Sequence, residues 1–151
     1  MTHKLIETAK RIAPELRDTV ADDNGLRRLS DRTWKILMDK GFLRSLQPAR
    51  WGGGEVSLVE FIDAMIEIAR ASPSAGWVAG VIGVHPWQLA LFDEKAQQEM
   101  WGEDPAAMNS SSYNPTGKAE QAPGGYKLSG RWSFSSGSES LPGGNVGSDL
   151  R

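Results

Sequence analysis

The chain has no cysteine and only two histidines, His3 and His85, among 151 residues. Without thiols there is neither a disulfide framework nor thiolate chemistry, and two imidazoles are too few for a usual zinc site, so no metal is expected. Net charge is scarce too. Seventeen Lys and Arg against 19 Asp and Glu leave −2. The basic residues are spread through the N-terminal part without the stripe that a phosphate backbone demands, which argues against nucleic acid as a partner. Long apolar runs are also missing: the longest, Trp77 to Val84, falls far short of the ~20 residues a membrane helix needs. The N-terminus mixes Lys4, Lys10 and Arg11 with Glu7 and Glu15 and has no signal-peptide apolar core. The expectation is a soluble, cytoplasmic chain, with no membrane partner, long enough to bury one ordinary core.

What the chain does have is helical periodicity. Leu5, Ile6, Ala9, Ile12, Leu16 and Val20 predict a first amphipathic helix, broken by Asp22-Asp23-Asn24-Gly25. A second is predicted from Ser30 or Asp31, with Trp34, Leu37 and Met38 inward, stopping at Gly41. Pro48 to Gly54 reads as a loop, and its glycines match no phosphate-binding pattern. Ser57 and Glu60 form a capping box that opens a third helix, which Leu58, Phe61, Ile62, Met65 and Ile66 continue to about Ala71. Ser72-Pro73-Ser74 then closes it and caps a fourth, and Asp93 caps a fifth that ends at Gly102. Five helices over residues 4–102 are the prediction. From Ala106 onward Ser, Asn, Tyr, Gly and Pro take over. There Tyr126-Lys127-Leu128 and Arg131-Trp132-Ser133-Phe134 read as strands about a Ser129-Gly130 turn, Trp132 and Phe134 sharing a core-facing side.

The fourth helix carries the one polar residue in an otherwise apolar stretch, His85. At 100° per residue Trp77, Val81 and His85 lie along one side, so an indole and an imidazole share a wall. Pro86 cannot donate to the carbonyl four residues back, which frees the Ile82 C=O and predicts a bend beside the imidazole. From the residues alone two readings stay open: a core histidine satisfied by backbone, or a base at a pocket.

Several stretches carry a resemblance: Pro48 through Gly53, Ser72-Pro73-Ser74-Ala75-Gly76-Trp77, His85-Pro86-Trp87, the triple serine Ser110-Ser111-Ser112, and Gly124-Gly125-Tyr126-Lys127-Leu128-Ser129-Gly130-Arg131-Trp132-Ser133-Phe134-Ser135-Ser136-Gly137. Over about residues 1–138 the chain resembles the acyl-CoA dehydrogenase fold superfamily. Within it, it is similar to the oxygenase components of two-component, reduced-flavin-dependent aromatic monooxygenases, such as the secosteroid and 4-hydroxyphenylacetate hydroxylases. The resemblance implies a mainly α fold with a partial β region: an N-terminal helical domain of the acyl-CoA dehydrogenase type over residues 1–104, then the beginning of the middle β-barrel domain over 105–138.

It also implies roles. His85 lies by a phenolic hydroxyl and helps form the phenolate, Ser111 shares that hydroxyl, and Trp77 walls the pocket. Ser136 sits near flavin N5, with Trp132 and Ser135 close by. The implied cofactor is reduced flavin, FADH2 or FMNH2. The implied partners are a phenolic substrate, a separate flavin reductase and further copies of the chain, as a tetramer in the parent family. Missing Thr-Glu and Gly-Ser-Asp elements favour monooxygenase over an acyl-CoA dehydrogenase, which is the alternative. Residues 139–151 show no strand pattern and read as an irregular tail. That makes an N-terminal part of a longer protein the expectation, with a truncated, non-catalytic chain that associates with other subunits as the third reading.

Overall fold

A computed structural model describes residues 4–141. Five α-helices lie between Lys4 and Trp101: α1 (Lys4–Leu26), α2 (Asp31–Asp39), α3 (Leu58–Ala71), α4 (Pro73–Leu89) and α5 (Glu94–Trp101). Two strands follow, β1 (Lys118–Ala122) and β2 (Gly125–Ser129), with short 3-10 turns at Phe42–Arg44, Ala49–Trp51 and Ser138–Ser140. The fold is mainly helical, as the periodicity predicts. No helix among the described residues is long and apolar enough to cross a membrane.

Local chemistry sets the helix ends. Ser30, Ser57, Ser72 and Asp93 each accept the backbone N–H of the third residue of α2, α3, α4 and α5. The capping box at Ser57 is only half made: the Glu60 carboxylate instead accepts the Leu5 N–H at 3.1 Å and ties α3 to the start of α1. The predicted break at Asp22–Gly25 does not occur, and α1 runs on to Leu26. Tertiary packing overrides propensity here, because Asp23 is buried and its carboxylate accepts the Ser30 N–H at 2.7 Å and the Thr33 hydroxyl at 2.8 Å. That contact also anchors the cap of α2.

α1 packs on α3 and α3 on α4, around Leu16, Leu37, Phe42, Leu43, Ile68 and Ile82. α4 is apolar along nearly its whole length, yet it is not buried on every side. Its small residues Ala75, Gly76, Ala79 and Gly83 face inward, whereas Trp77 is 67% and Trp87 40% exposed. The cause is close approach: a Cβ on Gly76 would stand 2.6 Å from the Ala69 Cβ, and one on Gly83 2.8 Å from the Phe61 ring. The glycine side therefore meets α3, and the indoles turn away. The helix continues through Pro86 to Leu89.

Two buried glutamines hold the Pro48–Gly54 loop. Gln97 accepts from the Arg50 guanidinium and the Trp51 indole while donating to the carbonyls of Ala90 and Phe92. Gln47 donates to the carbonyls of Trp51 and Pro105.

The strand register departs from the prediction. β1 and β2 pair antiparallel from Lys118↔Ser129 to Ala122↔Gly125, and the turn is Pro123-Gly124, not Ser129-Gly130. Proline fixes the first turn position and Gly124 takes φ +84°, so this dipeptide reverses the chain at little cost. Arg131–Phe134 is not a strand: Phe134 has φ +61° and is 91% exposed. All ten strand residues are exposed, so no strand face lies on a core. Trp132 is half-buried instead, its indole against Gly117 and Gly130, where a Cβ would collide with it. Beyond it Gly137, at φ +82°, crosses α4 at Val78 and Ile82, and Leu141 is buried in the core. Of the predicted irregular tail, residues 142–151 lie outside the described residues, as does His3.

Candidate active site

Successive turns of α4 bring Trp77, Val78, His85 and Gln88 toward the segments that follow the helical part. The Ser110–Tyr113 stretch runs past the C-terminal half of α4, and Ser133–Gly137 returns past its N-terminal half. Hydroxyls bind the two segments together: Ser135 donates to Ser110 at 2.9 Å, and Ser112 to the Ser133 carbonyl at 2.7 Å. They are also fixed to the helix. His85 Nε2 lies 2.6 Å from Ser111 Oγ, and the Trp77 indole N–H donates to Ser136 Oγ at 3.0 Å. Tyr113 stacks on the His85 ring, planes 9° apart and centroids 6.5 Å, and its hydroxyl donates to Gln88 Oε1 at 3.0 Å.

These segments wall a cavity of about 1120 Å³, whose lining includes Ser111, Tyr113, Trp132, Ser135 and Ser136 together with Arg27, Arg28 and Glu139. His85 does not line it. The imidazole is 3% exposed and is hydrogen-bonded to the cavity wall through the Ser111 hydroxyl. Burial holds its pKa below the ordinary 6.5, opposed by the backbone of Val81 and Ile82, so the ring is neutral at pH 7. A neutral ring has one bare nitrogen, and Ser111 can donate to it while its own oxygen accepts from a molecule in the cavity. The arrangement is that of a buried base with a hydroxyl relay.

Of the six residues singled out in the sequence, Ser111, Trp132, Ser135 and Ser136 line the cavity. His85 stands behind Ser111, and Trp77 closes against Ser136 from an exposed position at the edge. Tyr113 and Gln88 were not foreseen. A signal existed for both: Tyr113 directly follows the triple serine, and Gln88 lies one helical turn after His85.

The acyl-CoA dehydrogenase N-terminal domain matches residues 4–109. The chain belongs to that family. The chain is similar to the oxygenase subunit HsaA of a flavin-dependent monooxygenase from Mycobacterium tuberculosis, 47% identical over 126 residues, which are 83% of this chain and 32% of the relative. The oxygenase component of an FADH2-dependent resorcinol hydroxylase from a Rhizobium species is 37% identical over 136 residues, 90% of this chain and 33% of the relative. The crystal structure of the M. tuberculosis HsaA monooxygenase superposes with a TM-score of 0.84 at 44% identity, covering 88% of this chain and 36% of that one. The chain thus spans about a third of the length of the relatives it matches. Both the family and the helical fold expected from the resemblance hold.

Proposed function

We propose that this chain is the N-terminal part of the oxygenase component of a two-component monooxygenase that hydroxylates a phenol with reduced flavin and O2. The observation that carries the proposal is the 2.6 Å contact between His85 Nε2 and Ser111 Oγ at the wall of the cavity. The names of the relatives support it, including FADH2 for the resorcinol enzyme. In this reading residues 1–104 are the helical domain and 105–138 begin the middle β domain.

The residues present fit a flavin. Ser135 and Ser136 offer hydroxyls to a polar ring edge, Trp132 offers an aromatic wall, and about 1120 Å³ exceeds the ~300–1,000 Å³ of an ordinary small-molecule site, leaving room for a second ring system. Reduced flavin, when bound, supplies the electrons with which one atom of O2 enters the phenol ring and the other leaves as water. The chain's own residues handle the phenol proton. Ser111 Oγ accepts it as its own proton moves to His85 Nε2. A free phenol titrates near pH 10, and burial lowers the imidazole from its ordinary value, so the phenol is much the weaker acid of the two. The proton therefore stays on the phenol in the ground state and moves as the ring is attacked, which is general-base assistance. The Trp77–Ser136 contact keeps the Ser133–Gly137 segment against α4, and the half-buried Trp132 limits water at the cavity wall.

The remaining partners follow from this reading. A separate reductase supplies the reduced flavin. The exposed apolar row Leu58, Ile62 and Ile66 on α3, with Val59 beside it, is the face we assign to packing in a homo-oligomer. The 151-residue chain alone should hold flavin weakly, because the cavity is walled on one side by an exposed two-stranded ribbon.

The test joins residues 4–138 to the rest of the resorcinol hydroxylase oxygenase component and supplies reduced flavin, O2 and a panel of phenols. Hydroxylation is expected, with His85→Asn lowering it about 10²–10⁴-fold while flavin affinity is unchanged. Equal loss of both, or turnover of an acyl-CoA, overturns the proposal. Tight stoichiometric flavin binding by the isolated chain, with turnover, would overturn its incompleteness.

A further inference from the structure

Two buried polar atoms on α4 lack their regular partners, and they are complementary. His85 Nδ1 has no hydrogen-bond partner. Three residues earlier the Ile82 carbonyl loses its i+4 donor, because the residue at that position is Pro86, which has no N–H. Ile82 is fully buried, so water does not take the donor's place. A ring nitrogen without a partner and a carbonyl left over three residues earlier on the same helix can satisfy each other only if the nitrogen carries the proton.

We propose that Pro86 is a positioning residue: by leaving the Ile82 carbonyl free to accept from Nδ1–H, it fixes the His85 tautomer so that Nε2 presents its lone pair to Ser111. The opposite tautomer would place a proton on Nε2, leave both buried orphans unpaired, and turn the Ser111 hydroxyl away from the ring as a donor. This deepens the reading of His85 as a base, since a base must offer a bare nitrogen on the cavity side.

The test is a long-range ¹H–¹⁵N spectrum of the 151-residue chain at neutral pH, which reports directly which ring nitrogen is protonated. The His85 signal is assigned by its loss in His85→Gln. The wild type should show Nδ1 protonated and Nε2 bare. In Pro86→Ala the restored amide N–H competes for the Ile82 carbonyl, and the ratio of the two tautomers should move about fivefold toward Nε2–H, the factor that one net hydrogen bond supplies. Ser111→Ala, which keeps proline in place, should leave Nδ1 protonated. A wild type protonated at Nε2, a Pro86→Ala spectrum unchanged from wild type, or a tautomer that follows Ser111 instead of Pro86 would each overturn the proposal. The spectrum needs neither flavin nor phenol, so its failure leaves phenol hydroxylation standing, and a failed hydroxylation assay leaves the tautomer lock standing.

Discussion

The Trp77 indole N–H donates to Ser136 Oγ at 3.0 Å across 59 residues of sequence, joining the first turns of α4 to the Ser133–Gly137 segment of the cavity wall. Because Trp77 is 67% exposed, the bond is worth no more than about 1 kcal/mol. Trp77→Phe keeps the aromatic surface and removes the donor. The expected outcome is faster amide exchange over Ser133–Gly137 with the global unfolding midpoint nearly unchanged. Exchange rates equal to wild type would show that the contact does not hold the segment.

His85 makes stability depend on pH. Its folded pKa lies below the 6.5 of the unfolded chain, so between those two values the unfolded state binds more protons. The contribution is complete above about 6.5 and is lost as pH falls from there toward the folded value. Urea midpoints measured from about pH 8 down to pH 5 should therefore fall more steeply for the wild type than for His85→Gln. Parallel curves would mean that burial does not shift the imidazole.

Gly76 and Gly80 lie on the same helix and should respond oppositely to alanine. A Cβ at Gly76 meets the Ala69 Cα at 2.7 Å, and backbone cannot step aside as a flexible side chain can. Overpacking of about 1–3 kcal/mol there outweighs the helix-propensity gain of up to about 1 kcal/mol, so Gly76→Ala destabilises. At Gly80 nothing lies within 4 Å, and only the propensity gain remains. Chemical denaturation of the two variants checks this, and stabilisation by Gly76→Ala would contradict the close α3–α4 approach.

Asp23 joins the end of α1 to the cap of α2. Asp23→Ala leaves the buried Ser30 N–H and Thr33 hydroxyl without their acceptor, at a cost of about 1–3 kcal/mol. Asp23→Asn retains one acceptor oxygen and should lose less. A calorimetric melt in which both variants match the wild type would remove the carboxylate from the architecture.

The sequence by itself determined the helices and their caps, since a side-chain oxygen at Ser30, Ser57, Ser72 or Asp93 acts within one turn of its own position. It also singled out His85 as the polar residue of an apolar helix. Wherever a contact spans the chain, local pattern misled. Asp22–Gly25 reads as a break, yet Asp23 is kept helical by partners seven and ten residues on. The bulk of Trp77 suggests burial, yet Gly76 and Gly83 decide which side of α4 meets α3. Trp132 and Phe134 alternate like a strand, but the Pro123-Gly124 turn sets the hairpin earlier and leaves them outside it. The pairing of His85 with Ser111, 26 residues apart, belongs to the same class. Propensity and periodicity act over a few residues, whereas the wall of a cavity is assembled from segments that packing alone brings together.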